Sequence, residues 1–475
     1  MGLRLGRTAA SHFLSQVARS ASGFVATLAI ARVLGAEGLG IYALGISLVV
    51  WLDIPHSGFR EALAKRISEG RETERYFAAG VVANLSSIVV PVVLVFLFRS
   101  YVNEYVGFDV SLLIILILFA NGLFGTFRFA LNGQKKVAHA GWVQFLNQVL
   151  RTVSQICLLL LGYAVFGLFV GYAVAAIFAA LIALTFLDVR VSVPTKRHFR
   201  DLYAYAKHGW STGFKGTTFN WMDTVVLGFF VSSTLVGIYE VAWSIASFLV
   251  LISNSVSQTL FPEISDISTE GNTDQIHHYL NEGLVFAGVF LIPGLFGAVA
   301  IGVDLLRIYN TEFTRGATVL VILIVARTVD AYTTQFTSVL KAIDRPDMVL
   351  RIDLLFVGAN MALNVVLVYL YGWFGAAVAT LLSGGLSLLV GYYLLADLIG
   401  APNIPTGEIS KEIFAGAVMF VIVTIFHRFS QSEVYITLIT IAAGAVIYLT
   451  VLLSISPRIR NKATALLAEP LGLRL

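Results

Sequence analysis

The sequence predicts an all-α polytopic membrane protein. It has fourteen transmembrane helices, arranged as two six-helix pseudo-symmetric lobes plus two C-terminal helices. Three observations predict the membrane class. Of 475 residues, 57% are hydrophobic and only 13% charged. That is half the ~25% charge of a soluble domain and too little to cover a water-facing surface. The apolar residues come in repeated blocks of twenty or more, long enough for a hydrocarbon core of about 30 Å. The blocks lack the alternation of a membrane barrel, which leaves helices to satisfy the backbone in lipid.

The first span, 11–34, contains Ser11, Ser15, Gln16 and Arg19. It is too interrupted for a cleaved signal peptide, and Ser15, Arg19 and Ser22 share one face. The second, 39–61, kinks near Pro55, sets Asp53, Ser57 and Arg60 close together, and ends at Glu61. The third, 76–98, is apolar, so the Asn84-Leu-Ser86 sequon inside it is not a glycosylation site. The fourth, 110–132, carries Asn121, Arg128 and Asn132. The fifth, 138–161, aligns Gln144, Asn147, Gln148, Arg151 and Gln155 at helical spacing. In the sixth, 164–187, Gly167 and Gly171 form a close-packing pair rather than a hinge.

The seventh span, 203–231, holds Lys215, Thr218 and Asp223, with Lys207 near its start. The eighth, 235–260, has a stripe of Glu240, Ser244, Ser247, Asn254 and Gln258. The ninth, 279–302, is followed by the tenth, 314–340, with Arg327, Asp330 and Thr334. The eleventh and twelfth are 350–371 and 375–399. The last two, 409–428 and 433–454, carry no charge from Ile413 to Phe426 or from Val434 to Ile455. They are expected to face lipid and flank a groove for a lipid tail.

Lys and Arg set the orientation. One set of connections carries twenty, from Arg4 and Arg7 through Lys135, Lys136, Lys196 and Arg200 to Arg474. The opposite set carries four: Arg99, Arg307, Arg315 and Arg428. Both termini are therefore expected in the cytoplasm, with the protein multi-pass in the cell membrane. The loops are short, and the chain has no phosphate-binding Walker pattern, no HExxH and no Cys/His cluster at metal spacing. An ATPase or cytosolic catalytic domain is excluded. The lone Cys157 supports no disulfide framework.

The chain resembles itself. Gly40-Ile41-Tyr42 recurs as Gly237-Ile238-Tyr239, an offset of 197, at which Ile67-Ser68 also matches Ile264-Ser265. Asn132-Gly-Gln-Lys135 faces Ala342-Ile-Asp-Arg345, and Gly162-Tyr163 faces Gly372-Trp373. Six spans separate the copies, so both have one orientation, the plan of parallel-repeat transporters. The expected lobes are 1–188 and 203–400, joined by a cytoplasmic linker at 189–202 and followed by 401–475.

Two six-helix repeats, the Leu34-Gly35-Ala36-Glu37-Gly38-Leu39-Gly40-Ile41-Tyr42 opening and the Gly-Gln-Lys-Lys turn resemble the polysaccharide-transport branch of the multidrug/oligosaccharidyl-lipid/polysaccharide (MOP) flippase superfamily. That branch contains the Wzx-type flippases. The resemblance covers essentially the whole chain. It implies alternating access that moves a lipid-linked oligosaccharide headgroup, on a polyprenyl or dolichyl phosphate or diphosphate, to the outer leaflet. Surface polysaccharide or glycoprotein biosynthesis would use it, with glycosyltransferase, polymerase or ligase partners and no nucleic acid. The competing reading is a cation-coupled multidrug antiporter of the same superfamily; an intramembrane glycosyltransferase or ligase ranks last.

Embedded charge agrees with an anionic cargo. A cation at a helix centre costs about 2.5–3.5 kcal/mol on the insertion scale, so each needs a partner or water. Arg19, Arg60, Arg128, Arg151, Lys215 and Arg327, with Asn147, Gln148 and Asn254, are the expected substrate-binding set. Guanidinium groups bind phosphate oxygens bidentately, while amides meet sugar hydroxyls. Asp53, Glu61, Asp223, Glu240 and Asp330 are candidates for ion pairing or coupling. No cofactor, metal or catalytic residue is expected, and proton or sodium coupling is left open. The plain alternative for the Ser, Thr, Asn and Gln stripes is interhelical glue.

Overall fold

The computed structural model describes residues 2–188, 190–209, 214–269, 272–429 and 434–468. Among them the regular elements are all helices, as the block pattern predicts. α1 (Gly2–Ser68) holds the first two expected spans in one run, broken at Gly35, where φ is 69°. A left-handed backbone there suits a residue without Cβ. α2 (Thr73–Leu97) is followed by α3 (Arg99–Val106), a short helix in what reads from sequence as a plain connection. Asn103 Oδ1 accepts from the Val110 and Ser111 N–H groups and fixes the turn into α4 (Ser111–Gly133).

α5 (Val137–Leu160) and α6 (Ala164–Thr185) complete the first half. α7 (Lys196–Gly209) begins inside the expected 189–202 linker and takes up the first residues of the expected seventh span. The cause is its pattern: one apolar edge and many charges. Leu202 and Ala206 are buried with Leu63, Ile67, Tyr76 and Phe77, while Tyr203 and Lys207 are exposed. The described residues of α8 (Phe214–Phe230) number 17. α9 (Ser233–Leu249) and α10 (Leu251–Thr269) divide the expected eighth span.

α11 (Thr273–Arg307) is followed by a 3₁₀ turn at Thr311–Gly316 and then α12 (Ala317–Ala342). α13 (Pro346–Tyr371), α14 (Trp373–Ile399), α15 (Thr406–Phe429), α16 (Val434–Ile455) and α17 (Pro457–Ala468) close the chain. Ten helices among the described residues are long and apolar enough to cross a membrane, or eleven with the bent pair Ser233–Leu249 and Ser253–Thr269 taken as one span. The expected fourteen crossings do not appear as fourteen separate apolar helices. Ser22–Ser68 runs as one 47-residue piece, long enough for two crossings of ~20 residues. α5 is interrupted by its polar stripe, and α8 is short.

The described residues pack as two units. One comprises those of Ser11–Glu240 and Asn364–Ala376. The other comprises those of Met1–Ala10, Val241–Leu363 and Ala377–Leu475. In the second unit Val285, Val289, Ala415, Met419, Val423, Tyr448 and Leu452 form one buried cluster that seats α15 and α16 on α11. Their outer faces expose Phe414, Val421, Ile425, Leu438 and Ile439. One side is packed and the other is exposed.

The repeat is visible in the backbone. A Cβ on Gly40 would collide with the Ser233 carbonyl and lie 2.9 Å from Gly237 N. A Cβ on Gly237 would collide with the Ala36 carbonyl and lie 2.9 Å from Gly40 N. The repeat-related segments thus cross through their glycines. The turn motifs match with a one-residue correction. Lys135 and Asp344 have φ of 61° and 58°, and Lys136 N and Arg345 N reach back to the Leu131 and Leu340 carbonyls, each at 2.9 Å. Lys135 is therefore equivalent to Asp344 rather than Arg345. Gly162 and Gly372 share positive φ, 87° and 59°, as their alignment requires.

Candidate functional site

The fifth-span stripe faces its neighbours through α4 and α6. Gly171 allows α6 to approach α5 so closely that a Cβ there would sit 2.9 Å from Gln155 N. Close packing, as expected for this pair, puts Tyr172 beside the stripe. The Arg151 guanidinium lies 4.8 Å from the Tyr172 ring centre, an arrangement worth about 0.5–2 kcal/mol. Asn121 of α4 donates to Tyr172 Oη at 3.3 Å. Arg128 donates to Gln144 Oε1 at 3.3 Å and lies 4.6 Å from the Phe129 ring centre. Gln144 and Arg151 are seven residues apart, about 10 Å along one helix face.

Other members of the stripe are structural. Gln155 is buried and donates to Tyr42 Oη at 2.7 Å and to the Leu168 carbonyl at 2.9 Å. Thr152 and Ser22 share a hydrogen bond at 2.9 Å. Asn147 is half-buried, and its Oδ1 has no hydrogen-bond partner among the described residues. Gln148 is also half-buried.

Arg60 differs from Arg151. It is buried, pairs through both terminal nitrogens with Asp53, and lies against α4 where Gly125 leaves room. Its charge is balanced in place. Glu61, the next residue, is half-buried. Asp223 is buried and accepts from Tyr239 Oη and, at 2.9 Å, from Asn364 Nδ2. Glu240 accepts from Thr224 Oγ1. Lys215 is half-buried in the first turn of α8. Arg19 lies on α1, and its side chain is outside the described residues.

Arg327, Asp330 and Asn254 belong to the second unit. Arg327 pairs with Asp330 at 3.7 Å and lies 4.7 Å from the Trp243 ring centre. Trp243 therefore covers a cation. Asn254 is half-buried on α10.

Sequence reasoning misses Tyr42, Tyr172, Tyr239 and Asn364, which complete these networks. A phenol inside an apolar block reads as hydrophobic, although a buried Tyr usually seeks a partner for its hydroxyl. It also misses Glu412 of α15, which is fully buried with neither carboxylate oxygen hydrogen-bonded among the described residues.

The family model described as polysaccharide biosynthesis protein matches residues 5–268. The probable flippase AglR of Haloferax volcanii is 32% identical over 99% of this chain and all of that one. The probable low-salt glycan biosynthesis flippase Agl15 of the same organism is 25% identical over 95% of this chain and 96% of that one. A solved structure of the lipid II flippase MurJ, in an inward closed conformation, is similar over 92% of this chain and 97% of that one. Its identity is 17% and the TM-score 0.77. An inward-facing multidrug resistance MATE family transporter of the MOP superfamily gives a TM-score of 0.67 at 13% identity, over 80% of this chain and 94% of that one. These two likenesses show the fold. Family match, full-length relatives and fold agree: the chain belongs to the polysaccharide biosynthesis protein family, the Wzx-like branch of the MOP flippases.

Proposed function

We propose that this membrane transporter flips a lipid-linked oligosaccharide, on a polyprenyl or dolichyl phosphate or diphosphate, from the cytoplasmic to the outer leaflet of the cell membrane. Both termini lie in the cytoplasm, as the Lys and Arg distribution indicates. The movement is alternating access, in which the two repeats, 1–188 and 203–400, act as lobes. Enzymes that assemble the glycan would act before it and a polymerase or ligase after it.

One observation carries the cargo reading: Arg151 is embedded among neutral groups, the Tyr172 ring and the Tyr42 phenol. A guanidinium so placed can take phosphate oxygens without breaking an ion pair. Arg128 with Gln144, and Asn121, Asn147 and Gln148, extend the same side with groups suited to sugar hydroxyls. The pairs Arg60–Asp53 and Arg327–Asp330 and the carboxylates Glu61, Asp223 and Glu240 supply charge balance or ion coupling. Arg19, Lys215 and Asn254 complete the proposed set. An anion leaving a negative-inside cell gains about 2.3 kcal/mol per charge per 100 mV, so transport does not require ATP.

The test is flipping of a labelled lipid-linked oligosaccharide in proteoliposomes. Arg151→Ala should lower transport roughly 10–100-fold, the equivalent of about 1.5–3 kcal/mol for a hydrogen bond to a charged group. Arg151→Lys should retain part of it. Wild-type flipping by correctly inserted Arg151→Ala overturns the cargo role of Arg151. Exchange of a cationic drug for protons or sodium, without glycan flipping, overturns the flippase reading in favour of multidrug export.

A further inference from the structure

Glu412 has no part in the proposed cargo path, yet it is the most isolated buried carboxyl among the described residues. It sits six residues after Thr406, about 9 Å along α15. Its side chain is fully buried, and neither oxygen has a hydrogen-bond donor among the described residues. Oε2 lies against the backbone of α11 at Gly288, where a Cβ would collide with it and would lie 2.9 Å from Tyr332 Oη. That glycine leaves no side chain on α11 to supply a donor.

The titratable groups around it are Tyr332 from α12, Tyr448 from α16 and, one turn earlier on α15, Glu408. Tyr448 Oη is buried and likewise has no hydrogen-bond partner among the described residues. Glu408 is already engaged by Lys411 at 2.7 Å and Ser456 at 2.6 Å. On α11 the carboxylate of Glu282 is held by Arg458 and Lys462 of α17. No cation among these is left for Glu412, and Glu408 repels a negative charge there.

A bare carboxylate without donors is among the costliest groups to bury, and such a group takes up a proton instead. We infer that the Glu412 carboxyl is a proton-binding site at the junction of α11, α12, α15 and α16, occupied in this conformation. Loss of the proton creates a charge that only water or a new donor can accommodate. Neither reaches the carboxyl while α15 and α16 stay seated on α11. The proton therefore favours the seated arrangement, and its loss favours parting of the helices. Acid stabilises the packing shown here and alkali loosens it.

The test needs no transport and no glycan. Infrared difference spectra of the full chain in lipid nanodiscs, across a pH titration, should show a protonated carboxyl band that persists well above the usual carboxylate range. The band should vanish in Glu412→Gln and in Glu412→Met; identical spectra in wild type and both variants overturn the proposal. Spin labels at positions 299 and 422, in a Cys157→Ser background, should move apart as pH rises in the parent protein. They should stay put in Glu412→Gln. A parent distance that ignores pH, or a variant that follows it equally, overturns the linkage to packing. Glu412→Met guards against an amide that disturbs the fold, because it fills the space without polar atoms.

Discussion

Arg60 and Arg151 are both arginines inside apolar helices of the same packing unit, and they are held in opposite ways. Arg60 is closed off, with Asp53 on its terminal nitrogens and α4 across its stem. Arg151 meets an aromatic face and a phenol, and it is only half-buried. The first arrangement closes an ion pair within α1 at the cost of desolvating both charges. The second keeps a cation available to an outside anion. An embedded positive charge is therefore not by itself a ligand site; what decides is whether its counter-charge is already present.

The comparison breaks most sharply at Asp53. Asp53→Ala leaves Arg60 buried without its carboxylate and should cost about 3–5 kcal/mol, read as a lowered melting temperature in detergent. The double variant Asp53→Leu with Arg60→Met should recover most of that loss. If Asp53→Ala alone is as stable as the parent, Arg60 is not a closed pair. Arg151→Ala should behave in reverse, losing transport while its melting temperature stays within about 1 kcal/mol equivalent of the parent, because a cation has been withdrawn from the membrane.

Arg327 stands between the two, since it has both a carboxylate and an aromatic face. Asp330→Ala should cost less than Asp53→Ala, on the order of 1–3 kcal/mol, because the Trp243 ring continues to cover the guanidinium. Trp243→Leu added to it should bring the loss near that of Asp53→Ala. Equal losses for the single and double variants would show that the ring does not help.

The smallest effect is where the start of α2 meets α7, at Glu72. The Arg75 hydrogen bond, with His198 and Arg197 nearby, holds the Glu72 carboxyl below its ordinary value. A lowered value means the contribution is present above the unfolded value, about 4.3. It is lost as pH falls through the folded value. Hydrogen exchange at α7 amides should accelerate in that acid window and not between pH 6 and 8. Glu72→Gln should remove the acid step; an unchanged step would assign it elsewhere.

Much of this was legible in the sequence, for a physical reason. Lipid permits few backbone solutions, so apolar blocks translate directly into helices, and Gly35 and the paired Gly162 and Gly372 mark left-handed positions. The α5 stripe could be read because polar groups in apolar helices are costly and hence informative. Three kinds of feature were hidden. α3 and α7 are amphipathic helices without the hydropathy of a span, so 98–110 and 189–202 read as plain connections. The turn register slipped by one because Asn132-Gly-Gln-Lys135 and Ala342-Ile-Asp-Arg345 share geometry but little sequence. Glu412 follows Lys411 at an apolar boundary and looks like an ordinary solvated edge. Only the packing of α11, α12 and α16 around it shows that it is buried.

The glycine crossing carries a lesson about ancestry. Residue 40 abuts 233 and 237, and 237 abuts 36 and 40, while 36 and 233 are themselves separated by the repeat offset of 197. Each partner sees in the other what the other sees in it, the reciprocity of an isologous interface between two identical subunits. A single chain thus retains, at one backbone junction, the signature of a two-fold homodimer. Positions 40 and 237 consequently behave alike: a side chain at 40 is refused by the Ser233 carbonyl and one at 237 by the equivalent Ala36 carbonyl. No substitution at one copy is independent of the other.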